Sequence, residues 1–197
     1  VIEQTEIQGK EEVPVDVEPG LKLDLACGDI KVKGFTGVDI VQTEEADVVH
    51  DLTQVPWPFE DESVTEARCS HFFEHLEPAQ RITFMNELYR VLKPEAGCMF
   101  ITPLGYDRQV QDPSHKWPPV VIGTYLYFDA AWLEANKLSH YRELHGINCD
   151  FEMRPTEVGV TPEFALRGDE AKMFASRQYM NAATDLMMLV VKKKKKE

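Results

Sequence analysis

No apolar run in this 197-residue chain approaches the roughly 20 residues needed to cross a bilayer, so no membrane span is expected and the chain reads as soluble. Cysteine is scarce. Cys27, Cys69, Cys98 and Cys149 stand far apart, within or beside apolar stretches, which points to buried thiols in a reducing, cytoplasmic setting rather than a disulfide framework. Positive charge is also short: 21 Lys and Arg face 34 Asp and Glu, a net charge of -13. A phosphate backbone would be repelled over most of such a surface, which argues against broad nucleic-acid binding. The one basic run, Lys192 to Lys196, is expected to be a solvated tail spanning 192–197. No secretory leader pattern is recognised at the start of the chain.

What is present suits one globular domain. The hydrophobic fraction is 43%, and the length is enough to bury a core between a sheet and its helices without disulfides or metal. Residues 1–20 are rich in Glu and lack apolar periodicity, so they read as an extended acidic arm, with the domain over 21–191. Short apolar segments then alternate with helical or loop segments: Leu21 to Ala26, Gly37 to Ile40, Val48 to His50, Val64 to Ser70 and Cys98 to Thr102. That alternation predicts an α/β fold with a parallel sheet. After Pro78 the spacing of Ile82, Met85, Leu88, Tyr89 and Leu92 predicts an amphipathic helix that Pro94 ends. Further helices are expected over Phe128 to Asn136, with Trp132, Leu133 and Ala135 inward, and over about Glu163 to Met180. The run Leu186 to Val191 suits a strand inside the sheet.

Three consecutive strand ends carry polar groups. LDLACGD, Leu23 to Asp29, leads a strand into a tight turn at Gly28, where a ligand can approach the backbone. GFTGVDI ends its strand at Asp39, whose carboxylate can accept from two vicinal ribose hydroxyls. VVHDL ends at Asp51, which could accept from an adenine amine. Open α/β sheets bind ligands at this edge. The acids Asp24 and Asp29, with the lack of a complete G-x-G-x-x-G, argue against a pyrophosphate and favour a nucleoside whose far end is cationic.

At these residues the chain resembles the class I S-adenosylmethionine-dependent methyltransferases, in particular the small group described as methyltransferase type 11. The resemblance runs from about Leu21 to Pro103 and includes PWPFEDESV (Pro56 to Val64), SHFFEHL (Ser70 to Leu76) and ELYRVLKPEAG (Glu87 to Gly97). It implies a Rossmann-like, doubly wound, seven-stranded and mostly parallel sheet whose last strand is antiparallel, and S-adenosyl-L-methionine as cofactor. It places Asp24, Ala26, Cys27 and Gly28 by the methionine part, Asp39 and Ile40 by the ribose, and Asp51 and Leu52 by the adenine. Ser70 and His71 would face the sulfonium and the acceptor. The connection to Asp39 is short, so the first helix is expected to be a stub.

Methyl transfer from a sulfonium is an in-line displacement, so alignment and exclusion of water can suffice. A hydroxyl or protonated amine acceptor also needs a base, for which His71, His115 and Asp112 are the candidates in that order. The last two lie in Pro103 to Tyr127, a long loop read as an acceptor-binding lid. His71 to His75 matches H-x-x-E-H, but it directly follows a strand and shows no third ligand segment, so no metal is expected. The tetrapeptide common after the fourth strand of nucleic-acid amino-methyltransferases is missing, which with the acidic surface favours a small metabolite, sugar or modified nucleotide as acceptor. Self-association is compatible with the sequence. An NAD(P)-dependent reductase and a non-catalytic S-adenosylmethionine-binding partner protein are the rival readings.

Overall fold

The computed structural model describes residues 20–194; the expected arm lies outside them apart from Gly20. The strands are β1 (Leu21–Leu25), β2 (Thr36–Asp39), β3 (Val48–Val49), β4 (Val64–Ser70), β5 (Leu92–Pro103), β6 (Phe151–Val160) and β7 (Ala183–Lys192). They form one seven-stranded sheet in the order β3-β2-β1-β4-β5-β7-β6. The first five strands pair in parallel, and β7 runs antiparallel between β5 and β6. The fold class is thus the expected one, an α/β Rossmann-like sheet with its last strand reversed.

Alternation along the strands sorts the core. Leu23 and Leu25, Ala67 and Cys69, Cys98 and Phe100, and Leu186, Met188 and Val190 are buried, as the period of two requires for one covered face. That face meets helix α1 (Pro78–Val91), which opens on Pro78 and on Gln80, whose side-chain oxygen accepts from the Glu77 N–H at 2.9 Å. Phe84, Met85, Leu88 and Val91 form its buried stripe, while Ile82 and Tyr89 are only partly buried, so the stripe lies slightly round from the expected face. Phe73 is the hub: its ring lies 5.1 Å from Phe100, 5.6 Å from Tyr125 and 5.8 Å from Phe84. Edge and offset contacts of this kind add about 0.5–1.5 kcal/mol each beyond area burial.

The remaining helices are short: α2 (Tyr106–Val110), α3 (Ile122–Leu126), α4 (Ala130–Ala135), α5 (His140–His145), α6 (Pro162–Ala165) and α7 (Asp169–Gln178). Several expectations are corrected here. The helix expected over Glu163 to Met180 is two, because Gly168 adopts extended backbone and starts α7 afresh. In α4, Leu133 is buried but Ala135 is exposed. No helix at all separates β1 from β2. Strand β6 escaped the sequence reading because Glu152, Arg154, Pro155 and Glu157 break any apolar alternation, a pattern suited to the sheet edge it occupies. The lysine run is not all tail: Lys192 ends β7 buried, donating to Leu92 O at 2.7 Å and Glu62 at 3.0 Å. Lys193 reaches Asp129 at 2.6 Å and Asp150 at 3.1 Å.

The segment carrying PWPF is fastened to α1 by one ion pair. Glu87, almost buried, accepts from the Trp57 N–H at 2.6 Å and from Arg90 Nε at 3.0 Å. Arg90 donates in turn to Phe59 O at 2.8 Å and to Asp61 at 2.6 Å, and the bond to Glu87 raises its pKa further. Glu87→Ala would leave the buried Trp57 N–H unpaired, while Arg90 keeps Asp61 and Phe59 O, so urea unfolding should show a loss of about 1–3 kcal/mol. Asp61→Ala removes only an exposed partner and should cost less than about 1 kcal/mol.

Candidate functional site

The turn after β1 is built by left-handed backbone at Ala26 (φ 56°) and Gly28 (φ 58°). Asp39, at the end of β2, locks this turn: one oxygen accepts from the Gly28 N–H at 2.9 Å and the other from the Val41 N–H at 3.0 Å. Each oxygen keeps a lone pair for a further donor. Asp51, just after β3, accepts from the Thr53 hydroxyl at 2.7 Å and the Thr53 N–H at 2.9 Å, and these bonds lower its pKa. Between these strand ends lies a pocket of about 580 Å³, within the size range of small-molecule sites. Ala26, Asp39, Ile40, Asp51 and Leu52 all line it. Ile40 is 63% exposed there, an apolar side chain left open at the pocket wall.

Other expected positions fall elsewhere. Asp24 is absent from the lining of this pocket. It is fully buried, takes Arg68 Nη1 at 3.0 Å and accepts from the Val32 N–H at 2.9 Å. Its charge is therefore neutralised and spent on holding the β1–β2 connection. Cys27 is buried, and desolvation followed by the charges of Asp39 and Asp24 raises its thiol pKa, so it is a packing residue rather than a thiolate. Ser70 ends β4 half-buried and is absent from the pocket linings. Phe72, His75, Gln80 and Lys116 line the first pocket without having been expected there. Of these, only the H-x-x-E-H match pointed to His75, and nothing around Lys116 did.

The three candidate bases come together in a second pocket of about 210 Å³, whose wall includes His71, Glu74, His75, Asp112 and His115. His75 is shared by both pockets. His71 sits on left-handed backbone (φ 52°) at the end of β4, which for a residue with a side chain costs of the order of 1 kcal/mol or more. Its Nδ1 lies 3.4 Å from Glu74 and its Nε2 3.8 Å from Asp185. The Glu74 carboxylate raises the His71 pKa against the opposing effect of burial.

The loop Pro103 to Tyr127, expected as a lid, contains α2 and α3 and is tied down across the end of β4. The Lys116 N–H donates to Glu74 O at 2.9 Å. Arg81, buried beside Phe73, donates to Pro118 O at 2.6 Å and to Lys116 O at 3.1 Å. His140 and His145 are exposed and line neither pocket.

Comparison with known proteins gives a consistent picture. Residues 23–100 match a family model described as a methyltransferase domain. No curated protein matches the sequence. Among solved structures, a SAM-dependent methyltransferase from Archaeoglobus fulgidus superposes with a TM-score of 0.55 at 17% identity, over 88% of this chain and 86% of that one. The YcgJ protein from Bacillus subtilis gives 0.52 at 13% identity, over 89% and 93% of the two chains. A Burkholderia thailandensis 1,6-didemethyltoxoflavin-N1-methyltransferase, with 1,6-didemethyltoxoflavin and S-adenosylhomocysteine bound, gives 0.50 at 13% identity, over 89% and 72%.

Because Arg81 holds the loop through charged donors on backbone carbonyls, Arg81→Met should cost about 1.5–3 kcal/mol per lost bond at most. Amide hydrogen exchange of residues 111–121 should then speed up while that of α1 changes little.

Proposed function

We propose that this chain, which has the class I S-adenosylmethionine-dependent methyltransferase fold, binds S-adenosylmethionine and transfers its methyl group to a small-molecule acceptor. One observation supports the reading above others: Asp39, at the end of the second strand, lines the large pocket with both carboxylate oxygens oriented by backbone N–H groups. A carboxylate held in this way is preorganised for the two vicinal hydroxyls of a ribose. Ile40 and Leu52 offer apolar flanks to an adenine, and Asp51, kept ionised by Thr53, faces its amine. The turn from Ala26 to Gly28 bounds the methionine end, where a Cβ added at Gly28 would meet nothing within 4 Å.

The cofactor supplies a methyl group on a positively charged sulfur. The chain's own contribution is to hold the adenosine at the strand ends, to keep water out with the anchored loop, and to present His71, Asp112 and His115 on the acceptor side. The acidic surface, with its net charge of -13, weighs against nucleic acid and favours a small acceptor, the kind of molecule that the Burkholderia enzyme methylates. A cytoplasmic setting fits four free, buried cysteines.

S-adenosylhomocysteine, added at about a hundred times its Kd, should stabilise the protein by about 2.7 kcal/mol in thermal melts, and NAD should not. Asp39→Ala should weaken that binding at least tenfold in calorimetry, about 1.4 kcal/mol. His71→Ala should leave binding close to normal and slow the release of S-adenosylhomocysteine when pools of small acceptors are supplied. Stabilisation by NAD instead, or unchanged affinity in the Asp39 variant, would overturn the reading.

A further inference from the structure

The Glu74 carboxylate in the second pocket is incompletely partnered, with His71 its nearest cation. Both carboxylate oxygens of Glu74 are buried and lack any hydrogen-bond partner among the described residues, although the residue is only 3% exposed. A bare buried carboxylate costs several kcal/mol unless something positive meets it. His71 Nδ1 at 3.4 Å is too far for a good hydrogen bond, and Arg108, the other cation in the wall, is taken up by Asp185 at 3.0 Å.

The neighbours of this carboxylate are two imidazoles whose tautomers the structure sets. His115 Nδ1 lies 3.0 Å from Gln109 O. A carbonyl can only accept, so the proton sits on Nδ1 and Nε2 keeps its lone pair. Ser114 Oγ donates its single proton to Asp112 at 2.6 Å and stands 2.9 Å from His75 Nδ1. The serine oxygen must therefore accept from His75, which again leaves Nε2 bare. Metal-binding histidines are held in this way, with the far ring nitrogen donating to a carbonyl or a hydroxyl–carboxylate relay. Ligand atoms of Glu74, His75 and His115 lie within 4.8 Å of one another. Bonds of about 2.0–2.1 Å to zinc would bring them to roughly 3.4 Å apart, so the site would contract around a bound ion. Asp112, whose second oxygen is 3.7 Å from His115 Nε2, falls outside this group of three.

We propose that Glu74, His75 and His115 form a binding site for a divalent transition-metal ion, of the zinc or manganese type, at the boundary between the two pockets. One carboxylate and two imidazoles leave open positions, and because all three residues line the second pocket, those positions lie beside the place assigned to the acceptor. The site thus selects an acceptor with an oxygen donor, a hydroxyl or a carboxylate. This last point rests on the methyl-transfer reading; the metal site itself does not. The third ligand was missed in the sequence because it lies 40 residues beyond His75, on a different loop.

The test is metal stoichiometry on the untagged full chain, by equilibrium dialysis against Zn²⁺ and Mn²⁺ followed by elemental analysis, with circular dichroism to confirm folding. One ion per chain is expected in the unsubstituted protein. His115→Ala and His75→Ala should weaken binding at least tenfold while remaining folded, Glu74→Gln likewise where it folds, and His145→Ala, an exposed histidine elsewhere, should bind normally. No stoichiometric ion, or undiminished binding by folded His115→Ala and His75→Ala, overturns the site. Thermal melts with S-adenosylhomocysteine in the same samples separate the two ideas: stabilisation without metal binding removes the site and keeps the methyl-transfer reading, and metal binding without stabilisation does the reverse.

Discussion

Four aspartates that accept backbone N–H groups hold the first three strands in position where a longer fold of this kind would use helices. Asp24 takes Val32, Asp39 takes Gly28 and Val41, Asp47 takes Gly37, and Asp51 takes Thr53. A carboxylate on an N–H makes a charge-assisted bond, stronger and more directional than a neutral one. Because these bonds replace packed helices, the connections stay short and the strand ends stay open. The large pocket exists in that opening. Gly37 shows how tight the arrangement is: a Cβ there would fall 2.2 Å from Glu45 O and 2.9 Å from the Cys27 sulfur, so the second strand can approach the first turn only without a side chain.

The other wall of the site has a different origin. It comes from the end of β4, the short turn Phe73 to His75 and the loop that follows β5. Phe73 anchors the turn in the aromatic core, which aims its neighbour Glu74 away from bulk water, while Arg81 pins the loop over it. The bulky core and the polar site are thus two sides of one three-residue turn. Burial that stabilises Phe73 is what deprives Glu74 of solvent.

Much of this was legible in the chain itself. Asp39 and Asp51 were placed on one rim because strand ends in a parallel sheet share an edge, and an apolar run followed by an acid is a local signal; Ile40 and Leu52 came from the family resemblance, and all four line one pocket. The partners of Asp24 were not legible, for an equally local reason. An acid inside an apolar strand looks like a ligand group until its partner is known, and Arg68 stands 44 residues away. The lysine run was misjudged in the same manner, since the buried pairing of Lys192 depends on Glu62 and Leu92, which nothing nearby reveals.

Sequence alone determined the first five strands, the last strand and the main helix α1, the pattern of acids at the strand ends, and the long polar segment after β5, because periodicity, turn residues and capping are properties of neighbours in the chain. Only the tertiary structure decided which polar groups share a pocket. It brought His115 to Glu74 and His75, and it paired Asp24 with Arg68. Contacts between segments tens of residues apart are set by how the sheet and its coverings pack, and packing leaves no short-range mark in the sequence.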